Sequence, residues 1–439
     1  MSKKAISKMA AIGIIIIVVV AALAGVAIYY MTRPKKMKAP PIKIGVMGPF
    51  TGPAAKTGEE FKRGWETAIE DLREQGLIPV KVDGVYRDIE VIWVDSESDP
   101  EKAIKAYEDA LARGVEVFLH GWHSSVAMAV HEISTAHGIM HFGHMGATQF
   151  LCYKREENPD ASRYWFKAWP CPPVYVYLYA ESLKYFMDQG WWTPRNKKFA
   201  ICVEDTDWGR GFGDGVKEVF ERLGFECVHY DVFSLIPAPE VEFYPLLEKY
   251  KAADISLLIV TTTASASIGA LLKQAREVDL RALIIMDGLG WFPDWYDIAG
   301  EASDYVISQD SPRAVTPEQK AWVERYKEKY GVEPSLAAAA QVYDLTMIFF
   351  KALNEAGTLD AEKLRSVLVD RPWKGLWQTW YWPSTLYDPE KQPWAHYMEP
   401  RVGFDYYSFP MVQYLGGKYY VISPPDKAER PFEMPPYAA

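Results

Sequence analysis

The chain has 439 residues, 49% of them hydrophobic, so it is too long for one ordinary domain and can bury large cores. A net charge of −10 with 24% charged residues excludes the basic stripe that nucleic-acid binding requires. Sixteen Trp and 27 Tyr supply rings for pockets and cores alike.

No charged residue occurs from Met9 to Thr32. As a helix that run would be about 36 Å long, enough to cross a hydrocarbon layer of about 30 Å. Ala22-Leu23-Ala24 after a basic start also fits a cleaved secretory signal. Apolar residues continue through Tyr30, which favours a retained transmembrane anchor over residues 1–32, followed by a Pro/Lys-rich linker over 33–41. Either reading places the remaining chain outside the cytoplasm.

From Ile42 short apolar runs alternate with amphipathic stretches. Strands are predicted at Ile42–Met47, Ile89–Val94, Val115–Leu119 and Ile139–Phe142, with helices at Glu59–Gln75, Asp99–Arg113 and Ser125–His137. A second series starts at Phe199. Its strands are Phe199–Val203, Cys227–Phe233, Ile255–Val260 and Leu283–Met286; its helices are Gly213–Leu223, Tyr244–Tyr250 and Ser267–Val278. Helices at Pro317–Tyr330 and Leu336–Ala356 follow, then a tail rich in Trp, Tyr and Pro. Two β-α-β series imply two α/β lobes, each a parallel sheet flanked by helices. Ligands of such sheets bind beyond the carboxyl ends of the strands. Those ends carry Gly48–Gly58, Gly121–Ser125, Gly143–Phe150, Glu204–Gly213, Thr261–Ser267 and Asp287–Trp291.

Four cysteines, Cys152, Cys171, Cys202 and Cys227, allow three pairings or none. Cys152 and Cys171 bracket a polar loop. Six of the eight His fall within His120–His144, which raises a metal hypothesis. His131-Glu132 opens an H-E-x-x-H pattern, but position 135 is Thr and His137 lies too far around a helix to complete it. No metal and no cofactor is expected. Gly209, Gly211, Gly213 and Gly215 fit no nucleotide-loop spacing and read as a tight helix entry. No G-x-S-x-G nucleophile motif occurs.

Several segments together resemble the periplasmic (type I) solute-binding proteins of ABC importers, in the branched-chain amino acid and amide/urea class. They are IKIGVMGPFTGPAAKTGEEFKRGWETAIED, VDSESDPEKAIKAYEDALARGVEVFLHGWHSS, HFGHMGATQFL and ICVEDTDWGRGFGDGVKEVF. The resemblance runs from about Pro41 to Gly357. It implies a Venus-flytrap fold with lobe 1 over 42–168 plus 310–369 and lobe 2 over 169–309 plus 370–439. It implies no enzyme activity, and capture of a small polar solute (amino acid, amide or related compound) for a membrane permease. A ligand-sensing ectodomain and a His-dependent metal hydrolase are the alternatives.

The resemblance also implies roles. Ser124 and Thr148 match positions that hold a ligand carboxylate, and Gly146 one whose carbonyl accepts from a ligand ammonium. Trp208 matches a covering aromatic, and Asp287 an acid that binds the ammonium. Thr57, approximately Thr263, and Leu336 stand where amino-acid-binding members carry aromatic pocket residues, a departure from that pattern. His123 and His144 occupy the carboxylate loops, a departure for an aliphatic amino acid. Ser125, Trp122 and Trp291 complete the candidates. Ser124 and Ser125 read equally as helix caps, and the Trp residues as core.

Overall fold

The structure is a computed structural model that describes residues 39–234, 242–309, 312–314, 316–384, 399–402, 406, 409–425 and 427–438. The expected anchor over 1–32 lies outside the described residues. Among the described residues no helix is long and apolar enough to cross a membrane.

The first series contains β1 (Ile42–Gly48), α1 (Ala55–Glu74), β2 (Val80–Val82), β3 (Val85–Arg87), β4 (Ile89–Asp95), α2 (Pro100–Ala112) and β5 (Val117–Leu119). It continues with α3 (Ser124–His137), β6 (His141–His144), α4 (Gln149–Glu157), α5 (Pro159–Ser162) and β7 (Trp165–Lys167). Local chemistry sets the boundaries. Asp99 accepts from the N–H groups of Glu101 and Lys102 and Pro100 occupies the first turn, which starts α2. Left-handed Gly138 ends α3. Strands β4-β1-β5-β6-β7 form one parallel sheet in that order. Its order reverses at β1, so the turn after β5 lies at a switch point.

The second series opens with α6 (Pro172–Asp188), for which no element is predicted from sequence. It continues with β8 (Lys198–Glu204), α7 (Asp207–Arg222), β9 (Glu226–Phe233), α8 (Tyr244–Ala252), β10 (Leu257–Thr261), α9 (Ser265–Glu277), β11 (Leu283–Asp287), α10 (Trp295–Ala299) and β12 (Ile307–Ser308). Its sheet runs β16-β15-β12-β11-β10-β8-β9, with β15 (Met411–Leu415) and β16 (Lys418–Ser423) antiparallel at one edge. Here β8 and β10 flank the reversal.

Between β12 and β15 the chain returns to the first sheet. Helices α11 (Pro317–Tyr330), α12 (Ala339–Ala356) and α13 (Ala361–Leu368) precede the hairpin of β13 (Pro372–Lys374) and β14 (Thr379–Tyr381). A full capping box of Thr316 and Gln319 starts α11. Helix α12 is buried along most of its length against α1, close enough that a Cβ on Gly64 would lie 2.4 Å from the Ala339 carbonyl. The result is two α/β domains, as the alternation predicts.

The hairpin departs from the expected division, which puts all of 370–439 in the second lobe. It packs on the first sheet's elements. The Asp344 carboxylate on α12 accepts from the backbone N–H groups of Leu376 (2.7 Å), Trp377 (2.9 Å) and Gln378 (3.0 Å) and from the Trp380 indole (3.3 Å). Trp382 packs on Phe142 and Phe166 and donates to the Lys167 carbonyl. Only β15 and β16 of the tail join the second sheet.

A disulfide joins Cys152 on α4 to Cys171 at the start of α6, while Cys202 and Cys227 are free thiols. The buried Lys167–Glu399 ion pair lies against it, and Lys167 also donates to the Ala147 carbonyl at 3.2 Å.

Asp344→Ala leaves four donors without their acceptor, at about 1–3 kcal/mol for each one that stays buried and unmatched. Chemical denaturation is expected to show a loss of roughly 3 kcal/mol or more. A change under about 0.5 kcal/mol would mean that other contacts hold the hairpin.

Candidate functional site

The carboxyl ends of both sheets meet around a cavity of about 30 Å³. The first domain contributes Trp122, His123 and Ser124 after β5, and Met145 and Ala147 after β6. The second contributes Trp208 on the first turn of α7, Thr263 after β10 and Trp291 after β11. Trp169, in the segment that crosses between them, closes the ring.

The turn after β5 requires unusual backbone. His120 is left-handed (φ 64°) and Gly121 has φ 141°. A Cβ on Gly121 would sit 2.2 Å from the His144 ring, so only glycine lets that ring lie there. The turn delivers Ser124 to the start of α3. Its hydroxyl oxygen accepts from the N–H groups of Ala147 and Thr148, each at 3.1 Å, and ties the two loops together. With both lone pairs engaged, the hydroxyl has only its proton left to offer, as a donor. The first N–H groups of α3, including that of Ser125, have no partner within the helix and favour negative charge.

Thr148 and Gly146 stand just behind this wall. Thr148 is fully buried and its hydroxyl caps α4 by accepting from Phe150 N–H. Gly146 donates to His144 Nδ1 at 2.9 Å, which sets the proton of that ring on Nε2. A Cβ on Gly146 would meet Ala127 at 2.5 Å.

On the opposite wall, Thr206 caps α7, whose start at Asp207 puts Trp208 on a helix rather than in a loop. Gly209 approaches so closely that a Cβ would lie 2.0 Å from the Glu204 carbonyl, and Gly213 packs on Tyr230 in the same way. The glycines are thus packing positions inside the helix. Buried Glu204 accepts from the hydroxyls of Thr206 and Thr263 and from Thr263 N–H, which fixes Thr263 at the cavity.

Asp287 does not line the cavity. It is fully buried one layer back, where its carboxylate accepts from the hydroxyls of Tyr175, Tyr179 (2.8 Å) and Thr261 (2.9 Å). Thr261 in turn accepts from the Trp208 indole at 3.0 Å. Trp208 is therefore held by a chain of hydrogen bonds that ends on Asp287. Thr57 lies elsewhere, on a neighbouring cavity of about 400 Å³ that shares Trp291 and includes Lys56, Glu60, Asp294 and Ser335. Leu336 borders a third cavity, beside Trp295 and Tyr419.

The tryptophans are packed edge to face. Trp122, Trp169 and Trp291 are mutually near perpendicular, at 89°, 85° and 90°, with centroids 5.8–6.1 Å apart. Trp169 is the site residue that strand-end reasoning misses, because β7, which it follows, is not predicted. The domains also touch outside the cavity, through Ser335 Oγ to the Trp291 carbonyl (2.7 Å) and Lys56 to Asp294 (2.7 Å).

Apart from the exposed His137, the histidine cluster is buried in the first domain, and four of its members bind protein groups. His120 Nε2 pairs with Thr346 Oγ1, His141 Nε2 with the His120 carbonyl, and His131 Nε2 with Ser162 Oγ. His123 alone borders the cavity, its Nδ1 without a partner. The only set of described residues gathered closely enough to hold a metal is Cys152, Cys171 and Glu399. Two of these form the disulfide and the Lys167 ammonium lies among them, an arrangement unsuited to a cation.

Two α/β domains facing each other across a ring-lined cleft define a two-domain ligand-binding protein. Residues 41–389 match the periplasmic binding protein family, and the chain belongs to it. Among curated relatives, a leucine-, isoleucine-, valine-, threonine- and alanine-binding protein of Pseudomonas aeruginosa is 26% identical over 79% of this chain and 85% of its own. A leucine binding protein of Thermotoga maritima superposes with a TM-score of 0.68 at 19% identity, covering 88% of this chain and 99% of its own. A solute binding protein of an ABC transporter from Rhodopseudomonas palustris, in complex with 3,4-dihydroxybenzoic acid, superposes with a TM-score of 0.68 at 20% identity, covering 90% and 98%. The chain is thus a periplasmic binding protein by family, a substrate-binding class.

Burial depresses the basicity of five histidines: His120 and His131 to about 3, His123 and His141 to about 4, and His144 well below the ordinary 6.5. Below pH 6.5 the unfolded chain takes up protons that the folded chain refuses. Stability is therefore whole above pH 6.5 and falls as pH drops toward 4, by up to about 1.4 kcal/mol per pH unit for each histidine. Urea midpoints at pH 7.5, 6.0 and 5.0 are expected to fall steeply; equal midpoints would contradict neutral burial of this cluster.

Proposed function

We propose that this chain captures a small carboxylate-bearing solute between its two domains, outside the cytoplasm, and hands it to the membrane permease of an ABC importer. The observation that carries this reading is the Ser124 hydroxyl at the start of α3, its oxygen engaged by two loop N–H groups and its proton left for an acceptor in the cavity. Membership of a family whose members bind solutes supports the same reading. Residues 1–32 act as a membrane tether that keeps the binding domains near the permease.

The roles divide by position. Ser124, Ser125 and the start of α3 take the carboxylate. Trp122, His123, Trp208, Thr263, Trp169 and Trp291 surround the body of the solute. Gly146, Thr148 and His144 position the Ser124 loop. Asp287 positions Trp208. The division between lobes falls after the β13–β14 hairpin, which stays with the first domain, and not at 370. Thr57 lies at the margin, where the domains meet.

A cavity of about 30 Å³ holds roughly two waters, so a solute enters only when the domains part or the indoles swing. The rings should thus report binding directly. A thermal-shift screen of small carboxylates against the full chain is expected to find a stabilising compound, worth about 2.7 kcal/mol at 100 times Kd. It should also change tryptophan fluorescence, and Ser124→Ala should weaken it roughly tenfold or more. A hit whose affinity Ser124→Ala leaves untouched would remove α3 from the site.

A further inference from the structure

We infer that the solute is a carboxylate with an apolar or aromatic body and no ammonium group, so that this cleft discriminates against α-amino acids. The inference rests on reading the tryptophan cavity as the solute site, and it names the class of solute.

Two of the rings that line the cavity carry unmatched donors: among the described residues, Trp169 Nε1 and Trp291 Nε1 are buried N–H groups with no partner. The Ser124 hydroxyl and the first turn of α3 add more. Buried donors left unmatched are costly, so a solute rich in acceptors gains by satisfying them. A carboxylate brings two oxygens with about four lone-pair sites.

What an ammonium needs is missing from the described lining. No Asp or Glu among the described residues borders the cavity. The acids of the site's own network stand behind the lining and are already engaged: Glu204 accepts from Thr206 and Thr263, and Asp287, behind Trp208 and Thr261, accepts from three hydroxyls. A primary ammonium carried into this cleft would give up its water and meet no carboxylate, a heavy desolvation loss.

The indole faces do not replace it well. Trp122, Trp169 and Trp291 contact one another edge to face, at 85–90°. In that geometry the positive edge of one ring lies on the negative face of the next, which uses up faces that would attract a cation. A flat or branched apolar body meets no such competition. It displaces ring contacts and replaces them with its own.

Matched pairs differing only in the amino group test this. Calorimetry on the full chain in mild detergent would compare leucine with 4-methylpentanoate and phenylalanine with 3-phenylpropanoate, with benzoate and glycine betaine alongside. In each pair the deaminated acid is expected to bind at least roughly tenfold more tightly. A Trp291→Phe variant, which deletes one free indole donor, should weaken that acid several-fold and leave the discrimination in place. Tighter binding of either amino acid, or of glycine betaine above every other probe, overturns the inference while leaving solute capture intact. Failure of all six compounds at millimolar concentration overturns this inference; only an empty result in the wider carboxylate screen would also undo the capture reading.

Discussion

A strand in a parallel sheet must end in a turn, and the helix that follows begins with backbone N–H groups that have no partner. In this chain two such sheets present those ends to one another, and the geometry of the cleft follows from how each turn is fastened. On one side Ser124 Oγ draws the loop after β6 onto the start of α3. On the other, Glu204 gathers Thr206 and Thr263, and Asp287 gathers Thr261 and two tyrosines. Each domain thus stiffens its own half of the site with buried hydrogen bonds, and the aromatic rings are left as the surfaces that meet. A buried carboxylate serves here as a fastener, because hydroxyl and backbone donors arrive to satisfy it.

That distinction explains what could be seen in the sequence. Periodicity exposed both β-α-β series, and their strand-end loops contain Trp122, His123, Ser124, Trp208, Thr263 and Trp291, all of which border the cavity; within those loops it is the family resemblance that singles out Ser124, Trp208 and Thr263. Asp287 was legible as an acid at a strand end. Its confinement was not, because Tyr175 and Tyr179 come from α6, more than a hundred residues earlier. Helix α6 itself hides behind Pro172-Pro173 and the alternating run Val174 to Tyr179, which mixes β-branched and aromatic residues in a strand-like manner. Missing α6 and β7 left the disulfide partner Cys171 in apparent loop and left Trp169 without a strand to follow. The hairpin's attachment to the first domain is hidden in the sequence for a related reason. One carboxylate, Asp344, binds the hairpin to the first domain, and long-range pairing of that kind has no periodic trace.

The histidines show the reverse case, in which a conspicuous pattern has a mainly structural use. Clustered His on adjacent strands suggest a metal, yet burial makes His120, His131, His141 and His144 poor bases, and each of these four pairs with a hydroxyl, a carbonyl or a backbone N–H. A neutral imidazole can accept at one nitrogen and donate at the other, so it can join strand ends where a charged side chain would be too costly to bury. His120 to Thr346 ties the turn after β5 to α12, and His144 to Gly146 ties the turn after β6 to itself. These bonds hold the Ser124 loop from below. His123, whose Nδ1 has no partner among the described residues, is the one member of the cluster that borders the cavity.

How firmly the domains hold each other without a solute bears on whether such a cleft can work. Among the described residues, the polar contacts that cross between them beside the cavity include Lys56–Asp294 and Ser335–Trp291. The Lys56–Asp294 pair is largely exposed, at 63% and 40%, and an ion pair of that kind contributes about 0–1 kcal/mol. The Ser335 hydrogen bond to the Trp291 carbonyl adds about 1 kcal/mol, and the perpendicular Trp122–Trp291 contact about 0.5–1.5 kcal/mol. These named contacts therefore favour the closed arrangement by only a few kcal/mol, before the entropy gained on opening is subtracted. Moving a two-state balance from one part in a hundred to ninety-nine takes about 5.5 kcal/mol of differential affinity. A solute that fills the donors of Ser124, Trp169 and Trp291 only when both walls are present supplies differential affinity of this kind. Weak direct contact between the domains is thus a condition for the solute to decide which state prevails.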